Sequence, residues 1–260
     1  LTRTDDGSSA SLSLGFTITI GNTDYSNVYI NNNGNLTFTS SLSAFTPFGI
    51  SSSSIPLLAP FFADVDTRDA SSGLVSYGFT QIDGRNAMVV NWDDVGYFNR
   101  KVNKLNDFQL VLIDRSDIEA GAFDFEFNYE AIEWETGDFS GGSNGLGGTS
   151  ARAGFSNGVD NRIEFIGSGV NGAFLDSGTN TLSGHNYGSV VDGRFRFQVR
   201  DGEILSPVSL DDDSVEEGSA LGSTISTFSP FDPNTDNIYT YTLVSGNGDT
   251  DNASFTIVDD

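Results

Sequence analysis

IPLLAPFFADVDTRDASSGLVSYGF, residues 55–79, decides how this chain reads. It opens on an apolar block, Leu57–Phe62, interrupted by Pro60. The proline argues against a long helix, and a block this short cannot span a membrane. Two carboxylates two residues apart follow, Asp64 and Asp66, and then a loop. Beyond the loop, Val75, Tyr77 and Phe79 point one way while Ser76, Gly78 and Thr80 point the other. That is the period of a half-buried strand. The stretch therefore predicts a buried element, an acidic turn and a strand.

The same alternation continues on both sides. Upstream, Leu12, Leu14, Phe16, Ile18 and Ile20 share one face of Ser11–Ile20. Val28–Ile30 and Leu36–Phe38 flank NNNGN, where Asn33-Gly34 has the residue types of a type I′ hairpin turn. Ser40–Ser54 reads as a Ser-rich surface loop. Downstream, Asp83-Gly84 turns the chain into Ala87–Trp92, which places Met88, Val90 and Trp92 on one face. Phe108–Ile113 is apolar on both faces apart from Gln109, as a strand in mid-sheet would be. Phe123–Tyr129 (FDFEFNY) alternates four aromatics with Asp124, Glu126 and Asn128, and a helix would scatter those rings around its circumference. Ile132 and Trp134 add to the core, Ala151–Phe155 predicts a further short strand, and Gly158–Gly188 is weakly patterned, with room for a helical turn or long loops. Phe195, Phe197 and Val199 alternate with Arg194, Arg196 and Gln198 in the last strand of this region.

Composition narrows the function classes. With 36 acidic residues against 12 Lys and Arg, the formal net charge is −24, which opposes nucleic acid and anionic membranes. The same charge favours solubility and supplies the oxygen ligands that Ca²⁺ takes. There is no cysteine, so a hydrophobic core or bound ions must hold the fold, and a bacterial-type secreted source is the expectation. One histidine, His185 in a loop texture, leaves little for a zinc site or a serine triad, and no GxSxG elbow is present. The Gly-rich run at 141–148 lacks the Lys of a phosphate loop and reads as a flexible connection.

Seven short segments, taken in order, resemble the NIDO (nidogen-like) extracellular domain: VYINNNGNLTF, LLAPFFADVDT, GLVSYGF, MVVNWDDVGYF, LNDFQLVLI, FEFNYEAIEW and ARAGFSNG. Each is weak alone, and their order and spacing carry the likeness across nearly all of Leu1–Val199. The resemblance implies an extracellular module of cell–matrix adhesion and brings no catalytic residues with it. After Val199 the texture changes. Residues 200–207 read as a linker, and 208–260 resembles the start of a cadherin-like repeat, shorter than the roughly 100 residues of a complete Ig-like sandwich. That second resemblance implies a Ca²⁺ site in which Glu217 and Asp232 match, Asn234 stands where a second Asp is usual, and Asp236 could compensate.

The expectation is thus an all-β protein: a twisted antiparallel β-sandwich over 1–199, then a partial cadherin-like β module, together a piece of a larger secreted or cell-surface protein. Its predicted role is non-catalytic adhesion to an extracellular matrix or cell-surface protein or glycan, without nucleic acid and without membrane insertion. Two rivals stand beside it. A carbohydrate-binding sandwich would show exposed Trp or Tyr faces beside carboxylates, although Trp92 and Trp134 sit in core-like patterns. A glycoside hydrolase would need two carboxyls about 5–10 Å apart across a cleft, drawn from Glu126, Glu130, Glu133 and Glu135. Asp64 and Asp66 likewise have two readings. As a pair on one extended face they would bind a cation or repel each other; as turn residues they would cap backbone N–H groups, and the turn reading comes first.

Overall fold

The computed structural model describes residues 1–205, 208–210, 218–220, 222–230, 241–243 and 249–258. Twelve strands build the first unit, Leu1–Leu205, as two six-stranded antiparallel sheets. One sheet contains β1 (Leu12–Ile20), β2 (Thr23–Asn31), β3 (Asn35–Thr37), β4 (Pro56–Phe62), β9 (Arg152–Asn157) and β10 (Arg162–Glu164), paired in that order. The other runs β12 (Glu203–Leu205), β11 (Arg194–Arg200), β8 (Phe123–Ala131), β7 (Lys101–Asp114), β6 (Arg85–Tyr97), β5 (Val75–Ile82). This is the predicted β-sandwich.

Aromatic rings from the two sheets interlock between them. Phe61 of β4 meets Phe108 of β7 at 5.3 Å between centroids, and Phe125 of β8 stacks on Phe155 of β9 at 5.9 Å. Phe125 also stacks on Phe197 at 4.8 Å, so the FDFEFNY rings lie in the core as their alternation predicts. Burying rings of this size supplies most of the favourable folding energy of such a sandwich. The outward face of the second sheet is polar: Gln109 donates to Asn91 (2.7 Å), Asn128 donates to Gln109 (3.0 Å), and Arg194 donates to Asn128 (3.1 Å). Only at one end does that face turn apolar, where Val111 and Ile113 pack with Ala87 under Ile82 and Val89. β7 lies inside the sheet, as its two apolar faces require.

Local expectations hold at one turn and are corrected elsewhere. Asp83 and Gly84 both take positive φ, 51° and 77°, as a type I′ turn demands. The NNNGN turn is different: Asn31 pairs with Asn35, three residues link them, and of these only Gly34 is left-handed, with φ 75°. A Cβ on Gly34 would lie 1.8 Å from the Phe61 carbonyl oxygen, so close approach to β4 also demands glycine. Ser40–Ser54 is less superficial than its composition suggests, because Ile50 in a short 3₁₀ turn is buried with Leu57, Ala59 and Phe62. Gly158–Gly188 holds β10 and turns, with no helix. On β5, Val75 is buried but Tyr77 and Phe79 are 42% and 56% exposed, because this is the sheet's outer strand and the facing layer does not reach them.

Residues 203–205, read as linker, form β12 and pair with Gln198–Arg200, so the first unit runs to Leu205. In the second unit, Ser206–Asp260, β13 (Val208–Leu210) and β14 (Phe228–Pro230) pair antiparallel, and residues 249–254 make a 3₁₀ turn.

Candidate functional site

After β4 the chain enters Ala63–Thr67, a buried passage threaded between the asparagine turn, the end of β6 and the N-terminal arm. The asparagines read from sequence as turn residues are the scaffold of this region. Asn32 donates to the carbonyls of Asp5 and Val65 (2.6 Å to the latter), and its own carbonyl accepts from the Trp92 indole at 3.0 Å. The Asn33 amide donates to Asp6 Oδ1 (2.9 Å), while its side-chain oxygen accepts from Val65 N (3.0 Å). Thr67 bonds Thr4 in both directions, N to carbonyl at 2.9 Å and Thr4 N to Thr67 Oγ1 at 3.0 Å. These bonds lay Thr4–Gly7 along the turn and bring Asp5 and Asp6 to Asp64, almost sixty residues away in the chain.

Asp64 and Asp66 therefore part company. Asp66 accepts from Arg68 N (3.0 Å), Arg68 Nε (2.8 Å) and Arg100 N (2.9 Å), which is the turn-capping role. Burial pushes its pKa upward, but the hydrogen bonds from Arg68 and Arg100 outweigh this and hold it below the ordinary value. Asp64 is 1% exposed, and neither carboxylate oxygen has a hydrogen-bond partner. One oxygen from each of Asp5, Asp6 and Asp64 lies within 4.8 Å of the others. Burial first, then the charges of Asp5, Asp6 and Asp66, push the Asp64 carboxyl up to about 8. Asp5, half-buried and paired with Arg68 at 3.0 Å, is pushed up to about 6 by burial and by Asp66 and Asp6. A Cβ on Gly137 would come within 2.3 Å of Asp64 Oδ2, so the Gly137 loop closes directly over the carboxylate.

The remaining sequence candidates are dispersed. Glu217, Asp232, Asn234 and Asp236 lie outside the described residues. Glu135 is buried and accepts from the backbone N–H groups of Gly172 and Phe174, both at 2.6 Å, which anchors a loop. Glu133 accepts from Leu105 N at 3.0 Å, Glu126 faces Arg194 and Arg196 at 3.7 Å, and Glu130 is exposed. Each carboxylate has its own neighbourhood. Both tryptophans are fully buried, donating to Asn32 and Val95 carbonyls, and His185 is exposed with Nδ1 2.8 Å from the Thr181 carbonyl. Beside the Gly-rich run, an open polar cleft of about 500 Å³ is lined by Tyr97, Lys101, Asn103, Asp138, Ser143 and Asn144.

Two antiparallel sheets with an aromatic core between them define a β-sandwich module. The chain belongs to the nidogen-like domain family, whose model matches residues 26–201. It is 32% identical to mouse alpha-tectorin over 237 residues, 80% of this chain and 10% of that protein. The human alpha-tectorin match is 31% over 242 residues. Fruit-fly nidogen is 32% identical over 182 residues, 60% of this chain and 13% of its own length. This chain thus spans about a tenth of the alpha-tectorins that it matches. No solved structure matches. The expectation of a bacterial-type source, drawn from the lack of cysteine, finds no support in these animal relatives.

Proposed function

We propose that this chain is a non-catalytic interaction module of the extracellular matrix, acting in adhesion as part of a larger secreted or surface protein. The observation that carries this reading is family membership across 26–201, shared with alpha-tectorin and nidogen, which are matrix proteins. What supports it in the structure is the use made of three of the candidate glutamates: Glu135 and Glu133 accept from backbone N–H groups, and Glu126 faces Arg194 and Arg196. No helix among the described residues is long and apolar enough to cross a membrane. For 208–260 we keep the reading as the opening of a cadherin-like repeat with calcium at Glu217, Asp232, Asn234 and Asp236, supported by the β13–β14 pairing alone.

Glycan binding is the second reading, favoured by the polar cleft at Tyr97 and Asn103 and disfavoured by the burial of both tryptophans. The two separate in one experiment. The purified chain is passed over immobilised matrix proteins and a glycan array, in Ca²⁺ and in chelator, and assayed on a panel of glycosides. Saturable binding to a deglycosylated matrix protein is expected. Binding confined to glycans would replace the first reading with the second, and turnover of any glycoside would remove both.

A further inference from the structure

We propose that Asp5, Asp6 and Asp64 form a calcium site in the nidogen-like domain, built by the N-terminal arm against the passage after β4. Three acidic side chains in proximity do not make a site, and at an exposed surface they would simply be solvated. What singles out this cluster is Asp64: 1% exposed, both oxygens without a hydrogen-bond partner, and aimed at two further carboxylates within 4.8 Å. Asp5 Oδ1 is buried and unpartnered as well. Buried carboxylates in folded proteins are hydrogen-bonded, paired or bound to metal, because an ionised group without compensation is costly to bury. Here the nearest cation, Arg68, is divided between Asp5 Oδ2 and Asp66 and makes no bond to Asp64.

The donor set selects the ion. Three carboxylates with neither sulfur nor imidazole are hard ligands, which suit Ca²⁺ or Mg²⁺ and not zinc or copper. Calcium fits better, since its irregular shell tolerates ligands delivered by two neighbouring arm residues and one residue of the passage after β4, whereas Mg²⁺ demands near-ideal octahedral geometry. The arrangement around the cluster is also that of a built site. Asn33 holds Asp6 by its Oδ1 at 2.9 Å, leaving Oδ2 for an ion, and Asn32 holds the Asp5 backbone. Gly137 gives the covering loop room to lie on Asp64, where any side chain would collide. Asn33 is a positioning residue: its amide bonds Asp6 on one side and the Ala44 carbonyl (3.2 Å) on the other. With only three protein carboxylates the shell is completed by water, and affinity belongs to the extracellular range of about 10⁻⁴–10⁻³ M.

The test is isothermal titration of the full 260-residue chain with CaCl₂ at about 0.15 M salt, where diffuse attraction to an acidic surface is screened. Asp232→Ala is carried as background, so that ions taken by the C-terminal module do not mask this site. One saturable event is expected in the Asp232→Ala protein, weakened at least tenfold by Asp6→Asn and abolished by Asp64→Asn. Asp6→Asn changes a partly exposed arm residue, so it stays informative where Asp64→Asn fails to fold. Titrations that ignore both substitutions, no saturable event at all, or an equal response to MgCl₂ would each overturn the assignment.

Discussion

Asp64 and Asp124 are both fully buried carboxylates, and the molecule treats them in opposite ways. Asp124 on β8 is met by three arginines: Arg115 and Arg200 at 2.7 Å, and Arg196 at 3.1 Å. Burial pushes its pKa up, yet the bonds from Arg200 and Arg115 win and hold it below the ordinary value. Asp64 has two more acids and no donor, and is pushed up to about 8. Of the chain's 12 basic residues, three serve one carboxylate while another 60 residues away has none. On a chain of net charge −24 that distribution separates a structural acid, compensated from within, from one left for something outside the chain.

The largest effect sets the scale for this comparison. Phe125 adjoins Asp124 but points into the core, against Phe155 and Phe197. Phe125→Ala is expected to lose about 3–5 kcal/mol in urea unfolding, the usual range for emptying a buried aromatic site. A loss under about 1 kcal/mol would mean the ring is not part of the core. Asp124→Ala is expected to cost about 3 kcal/mol, the low end for breaking a buried pair, because the stranded arginines still reach water. A neutral outcome would show that the three arginines are solvated without their carboxylate and the contrast with Asp64 is empty.

The smallest effect has the opposite sign. In chelator at pH 8, Asp64→Asn is expected to stabilise the domain, by on the order of 1 kcal/mol, the worth of a single pKa unit. The sign follows from linkage. A carboxylate whose folded pKa is raised binds more protons folded than unfolded, so chelated protein loses stability as pH climbs from about 4 to about 8. Asp124, with its pKa lowered, contributes stability above its unfolded value of 3.8 that is lost as pH falls below it. Thermal midpoints in chelator should therefore fall toward both ends of the range from about pH 3 to about pH 9, and Asp64→Asn should remove the fall above about pH 6, leaving the shallower part below it that Asp5, itself pushed up to about 6, still carries. An alkaline slope that survives the substitution would locate its origin elsewhere, with Asp107, pushed up to about 6 by burial and by Asp93 and Glu130, as the next group to replace.

Strand alternation made the sandwich legible in the sequence: Phe123–Tyr129 and Arg194–Val199 lie as their patterns predict, because side-chain period alone decides facing within a strand. It does not show where a covering layer ends: Val75, Tyr77 and Phe79 share one face of a strand that reads as half-buried, yet only Val75 is covered. The acidic site was half visible. Asp64 stood out beside Asp66, but the natural partner in sequence proved to be a capping residue. The partners in space, Asp5 and Asp6, are brought in by side-chain bonds from Asn32 and Asn33, which local spacing does not encode. The one available signal was an Asn-rich turn richer in amides than a tight turn requires, together with an early Asp-Asp-Gly.

The last strand of the first unit has a mechanical consequence. β12 is held by three residue pairs to β11, at the margin of its sheet, and the chain continues from its end. Tension arriving from that side meets an antiparallel hairpin at its open end, so it unzips the ladder one pair at a time instead of shearing all pairs together. Within the strand the buried Ile204 also donates its N–H to Asn161 Oδ1 at 3.1 Å, and beyond it the bond from Gly21 N to the Gly202 carbonyl at 2.7 Å passes the load to the end of β1 in the other sheet. Single-molecule pulling should record a small extension from β12, at roughly 3.3 Å for each residue released, well before the aromatic core ruptures. A module in a stretched matrix would then yield a little at its edge while its core and the Asp64 passage remain closed.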